Sequence, residues 1–265
     1  VEGTSDLTLT GNSAMTGVMA AANGGKLAIT GAGSTAAVGF GAGFGSSAST
    51  DGAALAGNAI IVAGINSTVT LTGNETVGSL RIDATSGLTL TGATLTLNGS
   101  TNAYNITGAS DVSGTVSGTG TLNVTGNTTT VGATGDVQTA TTVGAAGTLV
   151  NNGTMAGVTN AGTTTNNLTM GAVGNSGTFT NTGSAGALTN TGAGGGTNSG
   201  TLASLAQNST GIFANTGIVS GATSVSAGTL NLNAGSNLAD AAALTVTGGT
   251  VNVNTAETVG SLVAN

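Results

Sequence analysis

The sequence has no cysteine, proline, histidine or tryptophan, and very little charge. Lys26 and Arg81 are its only cations, set against nine carboxylates, for a net charge of −7. Charged residues make up 4% of the 265, where an ordinary soluble domain has about a quarter. These absences exclude most chemistry. Without cysteine there is no disulfide framework and no thiolate nucleophile. Without histidine, the usual general base and transition-metal ligand is missing. Two cations cannot supply the basic footprint that nucleic acid requires. Ala59 to Ile65 is the longest strongly aliphatic run, far short of the roughly 18 apolar residues of a membrane helix. The start, Val1-Glu2-Gly3, lacks the basic and apolar regions of a signal peptide, so an exported protein is expected here in processed form or as an internal piece.

Aromatics are equally scarce, at 2%: Phe40, Phe44, Phe179, Phe213 and Tyr104. A wide core needs bulky side chains to reach native packing density. The apolar 38% is largely Ala, Val and Leu, which suits a core only one or two side chains across. Disorder is the competing reading of so much Gly, Ser and Asn. Disordered chains gain proline and charge, and this one lacks both while being rich in strand-forming Thr and Val.

What the sequence does contain is repetition. An apolar-x-apolar-Thr/Asn-Gly unit appears as Leu7-Thr8-Leu9-Thr10-Gly11, Leu27-Ala28-Ile29-Thr30-Gly31, Val69-Thr70-Leu71-Thr72-Gly73 and Leu88-Thr89-Leu90-Thr91-Gly92. It continues through Leu122 to Gly126, Leu230 to Asn233, Leu244 to Gly248 and Val251 to Asn254. Its period of two marks short strands with one buried face, and Gly or Asn at each end suits a corner with positive φ. The expected core is Leu7, Leu9, Leu27, Ile29, Val69, Leu71, Leu88, Leu90, Leu122, Val124, Leu230, Leu232, Leu244, Val246, Val251 and Val253. A second unit, Asn-x-Gly-Thr-apolar, recurs at Asn152, Asn175 and Asn198, with relatives at Asn181, Asn190 and Asn215. Glu75-Thr76-Val77-Gly78-Ser79-Leu80 returns intact as Glu257 to Leu262.

Repeats of this kind predict an all-β solenoid of roughly 13 coils, each about 20 residues, stacked in parallel at ~4.8 Å. The absences then acquire reasons. A proline in an internal strand deletes a ladder hydrogen bond. A charge repeated from coil to coil is repelled by its own copies, whereas Thr and Asn can form stacked hydrogen-bonding ladders. Residues 66–265 are expected to be regular, and residues 1–65 an Ala/Gly-rich irregular or cap-like start, with 34–64 departing most from the pattern. No charged amphipathic helix stands at either end to cover the open strands, so the chain is expected to be a piece of a longer protein or a subunit that stacks on others.

The Asn-x-Gly-Thr motifs, Gly228-Thr229-Leu230-Asn231-Leu232 and the repeated Glu-Thr-Val-Gly-Ser-Leu resemble the passenger repeats of bacterial autotransporters and filamentous-haemagglutinin-like adhesins. The likeness covers residues 66–265 well and the first 65 loosely, and it does not extend to the membrane-embedded barrel of autotransporters. It implies a right-handed parallel β-helix at the bacterial cell surface, acting in adhesion, biofilm or surface structure.

Candidate sites are few. Arg81 and Asp83 could share a strand face, as in polysaccharide-cleaving β-helices, but a local ion pair is the simpler reading. The remaining aspartates Asp6, Asp51, Asp111, Asp136 and Asp240 are scattered. The Gly-rich runs 39–45 and 192–196 lack the aspartate of calcium-binding export repeats, which leaves calcium only at an isolated oxygen site in a subunit contact. The pairs Thr8/Thr10, Thr70/Thr72, Thr89/Thr91 and Thr245/Thr247 are the raw material of an ice-binding face, broken by Ala28 and Asn123. The Asn-x-Ser/Thr sequons at Asn66, Asn74, Asn105 and Asn208 follow from composition alone. An isopeptide link could draw only on Lys26. The expectation is therefore a non-enzymatic, extracellular structural solenoid without catalytic, metal or cofactor residues, whose partner is itself in a filament or biofilm matrix. An adhesin segment binding glycans or a host protein at cell surfaces is the alternative, and an ice-binding solenoid a lesser one.

Overall fold

The computed structural model describes residues 104–265 in full, residues 80–82, 84, 87–92 and 94–97 with their side chains, and the backbone alone of the other strands between Leu7 and Leu97. It is an all-β parallel solenoid, with no helix among the described residues and about nine turns in its fully described part. Two compact units are present. One comprises Val1–Thr142 with Ala146–Leu149, the other Val143–Ala145 with Val150–Asn265.

In the first unit a single column of rungs runs Leu7, Leu27, Ile60, Leu80, Tyr104, Leu122, each residue the parallel partner of the next. Most steps match the coil length expected from the repeat, and the step from Leu27 to Ile60 is the long one. It holds residues 34–58, so the paired strands Leu27–Ile29 and Ala59–Val62 keep their register across the least regular stretch of sequence. Where side chains are described, the inward residues Leu80, Ile82, Tyr104, Ile106, Leu122 and Val124 are all but inaccessible to solvent.

In the second unit the coil is built on three short strands, which merge across a corner in Ser184–Asn190 and Thr201–Gln207. Val158–Asn160, Thr163–Asn166 and Thr169–Met170 make one such coil, and its first strand pairs with Val173–Asn175, which opens the next. The column continues from Val158 and Val173 through Leu188, Leu205, Thr223, Leu244 and Leu262. Its first two steps are the shortest, so the coil is tightest where the Asn-x-Gly-Thr unit is densest. That unit is a corner: its Asn ends one strand, x-Gly turns, and Thr opens the next.

Positive φ is not what these corners need. Gly162, Gly177, Gly183, Gly200 and Gly217 do not adopt it; among the described residues it is confined to Asn127 and seven other glycines. The requirement is close approach. A Cβ on Gly177 would meet the backbone at Ala161 and Gly162, and one on Gly183 the backbone at Asn167 and Leu168. Coils about 4.8 Å apart leave no room for a methyl between stacked corners.

The inward column on the second face reads Thr164, Phe179, Gly196, Phe213, Leu230, Val251. Phe179 and Phe213 are fully buried, with Gly196 between them at φ +144°. A side chain there would collide with the backbone of Phe179 one coil below. The third face stacks Met155, Met170, Ala185, Leu202, Val219 and Leu238.

The expected core holds at Leu88, Leu90, Leu122, Val124, Leu230, Leu232 and Leu244, all buried. It does not hold at Val253, which is 54% exposed, nor fully at Val246 and Val251, which are half-buried. Val251 and Val253 lie on the last described rung of their face, and Val246 has only the small Ala264 beyond it. The side chains of Leu7, Leu9, Leu27, Ile29, Val69 and Leu71 lie outside the described residues.

Two stability tests follow. A Cβ at Gly196 would overlap the carbonyl oxygen of Phe179, so Gly196→Ala is expected to cost at least about 2 kcal/mol in urea unfolding. Thr223 sits buried between Leu205 and Leu244 with its Oγ1 unpartnered. Thr223→Val removes that orphaned hydroxyl at constant shape and is expected to stabilise by about 1 kcal/mol in the same assay.

Candidate functional site

The inward columns are not wholly apolar. Period-two alternation carries the phase of Leu149, Thr164, Phe179 and Phe213 on to Asn151, Asn166, Asn181 and Asn215, and all four asparagines are 0% exposed. They form a chain of side-chain amides. Asn151 Nδ2 donates to Asn166 Oδ1, Asn166 to Asn181, Asn181 to Asn198 and Asn198 to Asn215, each at 2.7 Å. Asn215 Nδ2 closes the series on Ser236 Oγ at 2.8 Å.

A second chain runs from Asn160 through Asn175 and Asn190 to Gln207, at 2.7, 2.8 and 2.7 Å. Gln207 then donates to Ser209 Oγ and the Gly211 carbonyl. Asn160 starts this chain, and its Oδ1 has no partner within the protein.

Each amide has two N–H groups. One continues the ladder. In most of them the other reaches a backbone carbonyl at the start of a strand one coil on, Thr169 O from Asn151 at 2.8 Å and Ser184 O from Asn166 at 3.0 Å. Corner carbonyls are also held, as in Asn215 Nδ2 to Gly217 O at 2.9 Å. The inward asparagines therefore satisfy the turn groups that tight corners leave unpaired, and the burial of so many amides is compensated.

The outer surface shows how charge is tolerated. Arg81 lies between Ile61 and Asn105 in its column, Asp111 between Thr89 and Thr130, and Asp136 beside Thr115. No like charges are stacked in these registers. Asp111 Oδ1 accepts from Ser113 Oγ at 2.6 Å and Asp136 Oδ2 from Gln138 Nε2 at 2.7 Å. Asp240 is exposed. Among the described residues no three carboxylates gather to hold a metal ion.

Arg81 is exposed on its strand, while Asp6, Asp51, Asp83 and Lys26 lie outside the described residues, so the Arg81/Asp83 pairing has no geometry to report. Of the Gly-rich runs, 39–45 lies outside them beyond Phe40, the end of the strand Thr35–Phe40. In the run 192–196, Gly195 and Gly196 open the strand Gly195–Asn198. Asn105 is half-buried on its strand and Asn208 Oδ1 accepts from Ser226 Oγ at 2.7 Å; Asn66 and Asn74 lie outside the described residues.

The first residues of the Thr-x-Thr pairs lie in several register columns. Thr8 stacks on Ala28 in one column, Thr70 and Thr89 share another with Asp111, and Thr245 lies in a column with Ser224 and Val263. No family profile, curated protein or solved structure matches the chain.

The ladders make a graded test. Asn181→Ala strands a proton of Asn166 and the oxygen of Asn198 in the interior, and is expected to cost about 2–5 kcal/mol. Asn252→Ala breaks an exposed bond to Asn231 of similar length, 2.8 Å, and is expected to cost less than about 0.5 kcal/mol. Thermal or urea unfolding of the two variants reads the difference.

Proposed function

We propose that this chain is a non-enzymatic, extracellular structural solenoid that self-associates into a filament or surface matrix. Its work is mechanical. Parallel backbone ladders and side-chain amide ladders give each coil the same set of bonds to its neighbour, which suits a stiff, protease-resistant spacer.

The observation that carries the reading is the exposure of two large apolar side chains, Ile212 and Ile218, at 60% and 46%, on successive strands either side of one corner of a surface otherwise rich in Thr, Ser and Asn. The surface resemblance to passenger repeats and the absence of cysteine fit an exported setting.

Purified chain, concentrated and viewed by negative-stain microscopy, is expected to form filaments whose number rises with concentration. Ile212→Lys with Ile218→Lys is expected to abolish them without loss of β-structure by circular dichroism. Monodisperse monomers at every concentration would contradict the reading.

A further inference from the structure

The strand Gly87–Leu97 is the parallel partner of Ser110–Gly118, but their register slips. Thr91 pairs with Ser113 and Thr94 with Thr115, so Gly92 and Ala93 together oppose Gly114 alone. This is a β-bulge, and Gly92 takes it at φ +63°, a conformation that a side chain would strain. Beside the bulge lies a notch of about 410 Å³, open to solvent and lined by Thr91, Gly92, Thr94, Ser113, Gly114, Thr115 and Thr134.

Two of the hydroxyl protons at the notch are already placed. Ser113 Oγ–H is given to the Asp111 carboxylate at 2.6 Å, and Thr134 Oγ1–H to the Ser113 carbonyl at 2.9 Å. A hydroxyl that has spent its one proton has only lone pairs left to offer. Asp111, behind Ser113, is an acceptor too. No Lys, Arg or His lines the site, and the chain carries a net charge of −7. The notch is therefore acceptor-rich and repels anions, and a ligand that fits it must bring donors. The absence of any aromatic platform among the lining residues sets the strength low.

We infer that this bulge notch is a binding subsite for a short neutral saccharide, whose hydroxyls donate to Ser113 and Thr134. The inference does not require self-association, since all of these residues belong to one unit of a single chain.

Titration of ¹⁵N-labelled chain with neutral gluco- and manno-oligosaccharides, a sulfated glucan and calcium chloride tests it by amide chemical shifts. A neutral saccharide is expected to give saturable shifts confined to the amides of Thr91, Thr94, Ser113, Thr115 and Thr134, with a Kd of about 1 mM. Thr115→Val with Thr134→Val is expected to weaken binding at least tenfold. Thr165→Val with Thr180→Val, in the other unit, is expected to leave it unchanged. Should the notch double variant fail to fold, Thr134→Val alone is expected to weaken binding about threefold. No shifts with any neutral saccharide, shifts indifferent to the notch variants, tighter binding of the sulfated glucan, or notch shifts with calcium alone would each overturn the assignment.

Discussion

Everything in this fold depends on one constraint: a residue on an inward column must be compatible with the residues one coil below and above it, about 4.8 Å away. At that spacing a side chain chiefly meets its counterparts in adjacent coils. Valine on valine and methionine on methionine satisfy the constraint by packing. Asparagine on asparagine satisfies it by hydrogen bonding, because an amide donates at one side and accepts at the other. Two phenylalanines satisfy it with Gly196 between them. Like charges do not satisfy it at all, and the near-absence of charge follows.

The interior ladders resolve an apparent contradiction. Burying a side-chain amide without partners costs several times what a typical hydrogen bond returns. Here almost every ladder amide nitrogen and oxygen has a partner, and the exception, Asn160 Oδ1, stands at the start of its chain. The orphaned hydroxyls of Thr164 and Thr223 are a different case, since they sit in inward columns beside Phe179 and between Leu205 and Leu244 and have no ladder to join. The asparagines also fix register. A slip of one residue would turn every ladder amide outward and every outward Thr into the core. Apolar columns of Val and Leu tolerate small shifts far better than a continuous chain of directional amide bonds does.

Much of the fold is legible in the sequence. The alternation at Leu88 to Leu90, Leu122 to Val124 and Leu230 to Leu232 names the inward residues, and the regular recurrence of that unit names the solenoid. Two features differ from expectation for physical reasons. A corner glycine reads locally as positive φ, whereas Gly177 and Gly183 serve the approach of the adjacent coil, a relation between successive coils that local turn rules do not contain. Asparagine reads as a corner or outward residue, although the phase in Val158-Thr159-Asn160 and Phe179-Thr180-Asn181 points it inward. Hydropathy hides this, because the rule that polar residues face water overrides the period. The bulge at Gly92 and Ala93 leaves no sequence signal beyond a glycine between two strand patterns, so the notch formed by five hydroxyl side chains emerges only in three dimensions.

The most direct test of the account is hydrogen exchange at the asparagine side chains. If the ladders are continuous and interior, the NH₂ protons of Asn166, Asn175, Asn181, Asn190 and Asn198 should exchange as slowly as the backbone amides of the strands they end, while those of Asn252 and Asn254 exchange quickly. Rapid exchange at the first five, at the rate of an unstructured asparagine, would mean that these amides face water and that the stacked-amide interior does not exist.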